Sequence, residues 1–260
     1  MRAVGAGVSQ TRRVFIALPV LNEIENIELL LDRIDASLGE TPYIVCVVDD
    51  GSRDGTRDYL AQRRAQTPET LAVIERTKTQ HGSQRGGALY AALEWGLANT
   101  DCDVFVEIDG DLSHRPEELP AAIRTLDEPS VDVVIASKFV DGSQVINRPV
   151  GRELVSLVCS WAVHIFLSRS VRDYSNGYRF YTRRAAELIT QTRIRYTSPI
   201  YLSEVLAIWL RAGLQVREIS TLYVGRGEGL SKLRLTDLAK AAVAVLEIAF
   251  RYHVTGFARR

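Results

Sequence analysis

The chain has 260 residues, 46% hydrophobic and 25% charged, with 32 basic and 32 acidic side chains and no formal net charge. That is enough apolar chain for one large core, and a balanced charge gives no reason to expect a nucleic-acid partner. Three isolated cysteines, Cys46, Cys102 and Cys159, exclude a zinc spacing or a disulfide framework and point to a reducing cytosol.

The charge is unevenly spread. Residues 1–136 carry 13 Lys+Arg against 23 Asp+Glu, a net −10, and residues 137–260 carry 19 against 9, a net +10. An acidic half facing a basic half suits a site that holds a cation on one side and phosphates on the other. The opening "MRAVGAGVSQTRR" (1–13) lacks the apolar core of a signal peptide and reads as a flexible tail. No segment reaches the roughly 20 apolar residues of a membrane span. The nearest, "LVSLVCSWAVHIFL" (154–167), reads as a core or interface helix.

The first half alternates strand and helix signals. "VFIAL" (14–18) is a β-rich run, and 23–38 has apolar residues at helical spacing. "YIVCVV" (43–48) is a buried strand, and 54–65 a helix with Asp54 as N-cap. Strands at 71–75, 103–108 and 131–137 then alternate with helices at 85–98 and 116–126. Continuous apolar strands separated by helices predict a mostly parallel sheet covered on both faces. After residue 138 the rhythm changes. A polar loop (141–153) precedes the long apolar helix, and 172–189 reads as loop, short strand and helix. A helix at 199–213 ends in Gly213, and a strand follows at 214–224. A glycine-rich loop, "GRGEGLSK" (225–232), leads into a closing helix (233–254). These elements continue the same sheet, so one α/β domain is expected.

In such sheets ligands sit at the carboxyl ends of the strands. Those ends carry "PVLNE" (19–23), "DDGS" (49–52) and "DGD" (109–111), three acidic loops on one edge. Asp109 and Asp111 place two carboxylates on one side of a tight turn, with Gly110 between them so that backbone can approach a ligand. Paired hard oxygens without His or Cys suit Mg²⁺ or Mn²⁺, which keep waters and bind substrate phosphates. No G-x-G-x-x-G follows the first strand and no P-loop is present, so those nucleotide-binding readings fail. Glu23 and Asp50 can instead accept hydrogen bonds from a base and a ribose.

The loops P-V-L-N-E, V-V-D-D-G-S-R-D-G-T and I-D-G-D-L-S-H-R-P resemble those of the family 2 inverting glycosyltransferases of the GT-A fold. "SKFVDGS", "RPVGRELVS", "VRDYSNGYRFY" and "VGRGEGLSKL" narrow the resemblance to the dolichol-phosphate (polyprenyl-phosphate) mannosyltransferases, over residues 14 to 250. The resemblance implies a metal-dependent transfer of a hexose, mannose first, from a nucleoside diphosphate sugar, GDP-mannose first, to a polyprenyl phosphate. It implies nucleotide-sugar contacts at Pro19, Leu21, Glu23, Val48, Asp50, Asp109, Gly110, Asp111, Lys138, Arg226 and Lys232. Asp109 and Asp111 would hold Mg²⁺ or Mn²⁺. Arg152 and Ser156 match positions near the acceptor phosphate, and Asp111, Arg152, Arg226 and Lys232 are the catalytic expectations. The chain departs from the family pattern at Leu21, where an aromatic is usual, and at Lys138, where Arg is usual.

On this reading residues 14–232 form the catalytic domain. Residues 233–260 form an amphipathic helix packed on the domain, a partner or a membrane surface. A cytoplasmic protein is expected, with peripheral membrane contact and a homodimer as further candidates. A phosphate acceptor, with second pKa about 6, is already ionised at pH 7 and needs no general base. Transfer to a soluble hydroxyl or amine would need one, and Glu204 and Asp173 are the candidates. A non-catalytic sugar-nucleotide binder is the third reading. His114 is read as a metal or phosphate contact or a cap before Pro116, Arg179 as an acceptor-pocket or structural residue, and the tryptophans as core.

Overall fold

A computed structural model describes residues 12–76, 85–147, 170–192, 194–225 and 235–252, with side chains in the last segment from 243 onward. Six elements alternate first: β1 (Val14–Val20), α1 (Ile24–Leu38), β2 (Tyr43–Asp49), α2 (Thr56–Gln66), β3 (Leu71–Glu75) and α3 (Arg85–Asn99). β4 (Val104–Glu107), α4 (Leu119–Thr125), β5 (Val133–Ser137) and β6 (Gln144–Ile146) follow. Then come β7 (Arg179–Thr182), α5 (Arg183–Gln191), α6 (Tyr201–Arg211), β8 (Val216–Ser220), β9 (Leu222–Val224) and α7 (Leu235–Tyr252).

Seven strands form one sheet in the order β3-β2-β1-β4-β7-β5-β8. β1 pairs in parallel with β2 and β4, β2 with β3, and β5 with β8. Among the described strands of this sheet only β7 runs the other way, wedged antiparallel between β4 and β5. Both faces are covered, which is why the strands read as continuous apolar runs. Phe15, Ala17, Cys46, Val48 and Phe105 face one cluster with Leu89, Leu93, Trp209 and Val245. Val14, Ile16, Leu18, Val45 and Val106 face the other, with Ile27, Leu30, Ile34 and Leu119 of α1 and α4. Close packing fixes α3 on the first face: a methyl group at Gly96 would lie 2.6–2.8 Å from the Phe15 ring, so only glycine fits there.

Four local expectations need correcting. The second helix starts at Thr56, with Gly55 at the N-cap in the left-handed region, φ 100°. Asp54 instead bonds sideways: Oδ1 accepts from Thr56 N (3.0 Å) and Oδ2 from Ile24 N (3.1 Å), tying the starts of α1 and α2 together. Pro120 cannot donate into a continuing ladder, and the span 116–126 divides into a 3-10 turn (Pro116–Glu118) and α4. The expected single strand 214–224 breaks at Thr221, where Glu118 takes hydrogen bonds from Thr221 Oγ1 (2.6 Å) and Leu222 N (2.8 Å). Its second part, β9, pairs with β6, a short strand inside the stretch read as a polar loop. All three β6 residues are exposed, so no apolar alternation announced it. The helix expected at 154–167 lies outside the described residues.

Candidate active site

Because β1, β2 and β4 are parallel, their carboxyl ends reach one edge, and the three acidic loops meet there. The first two are laced together. Asp49, 1% exposed, accepts from Gly51 N (3.2 Å), Ser52 N (3.1 Å) and the Ser52 hydroxyl. Asn22 N donates to Ser52 Oγ (2.8 Å), and Arg53 N donates to Asn22 Oδ1 (2.8 Å). Asn22 sits at φ 55°, a conformation its short amide tolerates. The lacing leaves Leu21 exposed at 52%, while Val48 is fully buried and shapes the edge only from beneath. Glu23 is nearly buried and accepts from Asn26 Nδ2 (2.9 Å). Asp50 Oδ1 accepts from Arg76 Nε at 2.7 Å, an ion pair in which Arg76 is almost wholly buried.

The third loop carries the paired carboxylates. Asp109 Oδ1 lies 2.8 Å from Arg85 Nε, and Asp109 Oδ2 lies 3.2 Å from His114 Nε2. Asp111 Oδ1 accepts from Ser113 N (3.1 Å), and Leu112 between them adopts φ 58°, a strained value for its side chain. Gly110 has a packing reason: a methyl group there would stand 3.1 Å from Val20 Cγ1 and 3.4 Å from the Pro19 carbonyl. His114 is buried, its ring 5.0 Å from Tyr178 and 5.5 Å from Tyr223. Among the described residues no group of three or more His, Cys, Asp or Glu side chains is placed to hold a metal. Two carboxylates of one turn fit an ion that completes its shell with water and substrate oxygens, as Mg²⁺ and Mn²⁺ do.

β7, the reversed strand, starts at this same edge, and so brings the segment Asp173–Tyr178 beside the loop that follows β5. Lys138 begins that loop. Its Nζ lies 3.3 Å from Asp173 Oδ2 and its backbone N–H donates to the same oxygen at 2.8 Å. Ser175 N (3.0 Å) and Asn176 N (2.9 Å) add two donors to Asp173 Oδ1. Burial pushes the Asp173 carboxyl up, but Lys138 and the three N–H groups outweigh it and hold the pKa below the ordinary value. Lys138, 5% exposed at its side chain, is thus committed to Asp173 and also lies over the Tyr223 ring.

Arg179 is fully buried and donates to the carbonyls of Asn176, Leu202 and Tyr174, so it staples loops and does not line a pocket. Glu204, the other candidate base, is also fully buried. It accepts from Arg195 N, Tyr196 N (2.9 Å) and Tyr252 OH (2.9 Å), clamping α7 to the domain. Glu107 is buried beneath the edge, where Tyr201 OH donates to it at 3.0 Å. Desolvation raises its pKa, with partial offset from Arg179 and Arg85. Trp209 lies in the core, and Trp95 packs on its margin. Arg152, Ser156, Arg226, Lys232 and Trp161 lie outside the described residues.

Arg85 is the site residue that sequence reading missed. Its one available signal was position: it opens α3, where the helix dipole disfavours a cation. Something anionic has to hold it there, and Asp109 does. Burial pulls the guanidinium pKa down, yet Asp109 and its acidic neighbours more than offset this, for a net rise.

A seven-stranded, mostly parallel sheet with an Asp-x-Asp turn on its carboxyl edge defines the GT-A class of glycosyltransferases, and solved members share this fold. Residues 15–194 match the model of glycosyl transferase family 2, and the chain belongs to that family. An undecaprenyl-phosphate mannosyltransferase of Micrococcus luteus is 35% identical over 90% of this chain and 92% of its own. A polyprenol monophosphomannose synthase of Mycolicibacterium smegmatis is 30% identical over 96% and 94%. Among solved structures, glucosyl-3-phosphoglycerate synthase of Mycobacterium tuberculosis, crystallised with Mn²⁺, UDP-glucose and phosphoglyceric acid, superposes with TM-score 0.66. It is 21% identical over 92% of this chain and 80% of its own, a likeness of fold.

Proposed function

We propose that this glycosyltransferase moves mannose from a nucleoside diphosphate sugar, GDP-mannose first, to a polyprenyl phosphate. The two relatives above, similar over nearly their whole length, carry names of that reaction. The structural observation that supports it is the state of the two candidate bases. Asp173 is saturated by Lys138 and backbone N–H groups, and Glu204 by the clamp on α7. Neither stands ready to deprotonate a hydroxyl, whereas an ionised phosphate needs no base.

In the reaction an acceptor phosphate oxygen attacks the anomeric carbon in line. A new C1–O–P bond forms as the bond from C1 to the diphosphate breaks, the nucleoside diphosphate leaves, and the anomeric centre inverts. Catalysis is alignment plus charge neutralisation. Asp109 and Asp111 would hold Mg²⁺ or Mn²⁺, which when bound supplies positive charge to the diphosphate. Pro19, Leu21, Glu23, Val48 and Asp50 form the nucleotide side of the edge. Arg226 and Lys232, in the glycine-rich stretch 225–232, would neutralise phosphates, and Arg152 and Ser156 would meet the acceptor phosphate. Lys138 supports the site through Asp173.

A lipid acceptor implies contact with a membrane surface. The apolar arc of α7 divides in two: Val245, Ile248 and Tyr252 are buried against the domain, while Val243 (63%), Leu246 (47%) and Phe250 (81%) point outward. No helix among the described residues is long and apolar enough to cross a membrane. The outward face suits shallow insertion at a lipid interface. The test is incubation with a panel of sugar nucleotides and Mg²⁺, with and without polyprenyl phosphate. Mannolipid formation from one nucleotide is expected, and turnover indifferent to the lipid phosphate would overturn the reading.

A further inference from the structure

Arg85 occupies a built position. Its Nε lies 2.8 Å from Asp109 Oδ1, its Nη2 donates to the Gly177 carbonyl at 3.1 Å, and its guanidinium lies 5.9 Å from the Tyr201 ring centre, within cation–π reach. Gly177 has no side chain where the guanidinium passes: a methyl group there would collide with it. The side chain is only 22% exposed, so water screens the pair weakly. A cation in the first turn of α3 opposes the helix dipole. The 2.8 Å ion pair, the hydrogen bond and ring contact that hold the guanidinium in place, and the unfavourable helix position together say that it serves the Asp109 carboxylate.

We infer that Arg85 is the resident counter-cation of the Asp109–Asp111 turn and makes divalent-metal uptake depend on the arrival of the diphosphate. This rests on the reading of that turn as the metal loop. The Asp109 oxygen that Arg85 faces is one that a metal would use, and two cations do not share it without mutual repulsion. Metal alone therefore has to displace an arginine from its ion pair and strand it, partly buried, without an anion. A nucleoside diphosphate removes that cost, because its phosphate oxygens give the displaced guanidinium a bidentate partner. Metal and diphosphate then load together, and a bare metal site is disfavoured.

The test is Mn²⁺ binding by calorimetry, without turnover, to wild type, Arg85→Leu and Arg85→Lys, each with and without GDP. Wild type and Arg85→Lys should bind Mn²⁺ weakly alone and more tightly with GDP. Arg85→Leu should bind Mn²⁺ alone about tenfold or more tightly than wild type, the scale of one charge-assisted contact, and gain less from GDP. Arg85→Lys, which keeps the charge, carries the comparison if the leucine variant does not fold: its metal-alone affinity must then stay as weak as wild type while Asp109→Asn abolishes the GDP-supported binding. Equal metal-alone affinity in wild type and a folded Arg85→Leu, or strong metal-alone binding by wild type, overturns the inference and leaves the metal loop standing. Absence of Mn²⁺ binding in every protein even with GDP overturns both.

Discussion

Lys138 and Asp173 meet twice, through the ammonium at 3.3 Å and through the lysine's own N–H at 2.8 Å, in a position where neither side chain is more than 5% exposed. A pair this buried joins the loop after β5 to the segment that introduces the reversed strand β7. Removing one partner strands the other, so Asp173→Asn should destabilise the fold by about 3 kcal/mol. The pH dependence has a definite sign. The folded pKa of Asp173 is depressed, so its stabilisation is present above the unfolded value near 4 and is lost as pH falls through the folded one. Urea midpoints measured from pH 7 downward should fall in wild type across that window, and the asparagine variant should lack this component of the fall. Parallel curves would show that the pair is energetically silent.

Arg226 and Lys232, in the glycine-rich stretch 225–232, supply the second prediction. Arg226→Ala and Lys232→Ala should each lower turnover by about ten- to a hundredfold, the equivalent of roughly 1.5–3 kcal/mol for a contact to an ionised partner. Steady-state kinetics with saturating acceptor measure this. Near-wild-type values in both would make these two charges solvated bystanders.

The third concerns the outward face of α7. Phe250 is 81% exposed and buries little surface, so Phe250→Asp should shift the melting temperature by only a few degrees. It should weaken binding to vesicles of anionic lipid in a flotation assay, and wild-type binding should diminish with added salt. Undiminished flotation of the variant would remove this face from the membrane contact.

How far the sequence disclosed this arrangement depended on the signal available at each residue. The loops at 19–23, 49–52 and 109–111 were readable because long apolar runs ending in Asp or Asn announce buried parallel strands and their carboxyl edge. β7 was found as a strand, but its reversal was not legible: Arg179–Thr182 is four residues long, and direction is set by the sheet around it. β6 was invisible because its three residues are exposed and its partner, β9, is created by Glu118 breaking a longer strand. The roles of Asp173 and Glu204 turned on burial. A carboxylate in a loop or helix reads as chemistry until the structure shows both lone-pair sets taken by backbone N–H groups. Arg85 needed the pairing partner itself, since Asp109 lies 24 positions away and on another element.

The central claim is inverting, metal-loop-dependent transfer to a lipid phosphate, and the product of one reaction tests it. GDP-mannose with its α-linked sugar, polyprenyl phosphate and Mg²⁺ are incubated with wild type and with Asp111→Asn, and the lipid product is quantified and its anomeric configuration read by NMR. The account predicts β-linked mannosyl phospholipid from wild type, and from Asp111→Asn a folded protein with transfer reduced to background. An α-linked product, or full turnover by Asp111→Asn, would contradict it.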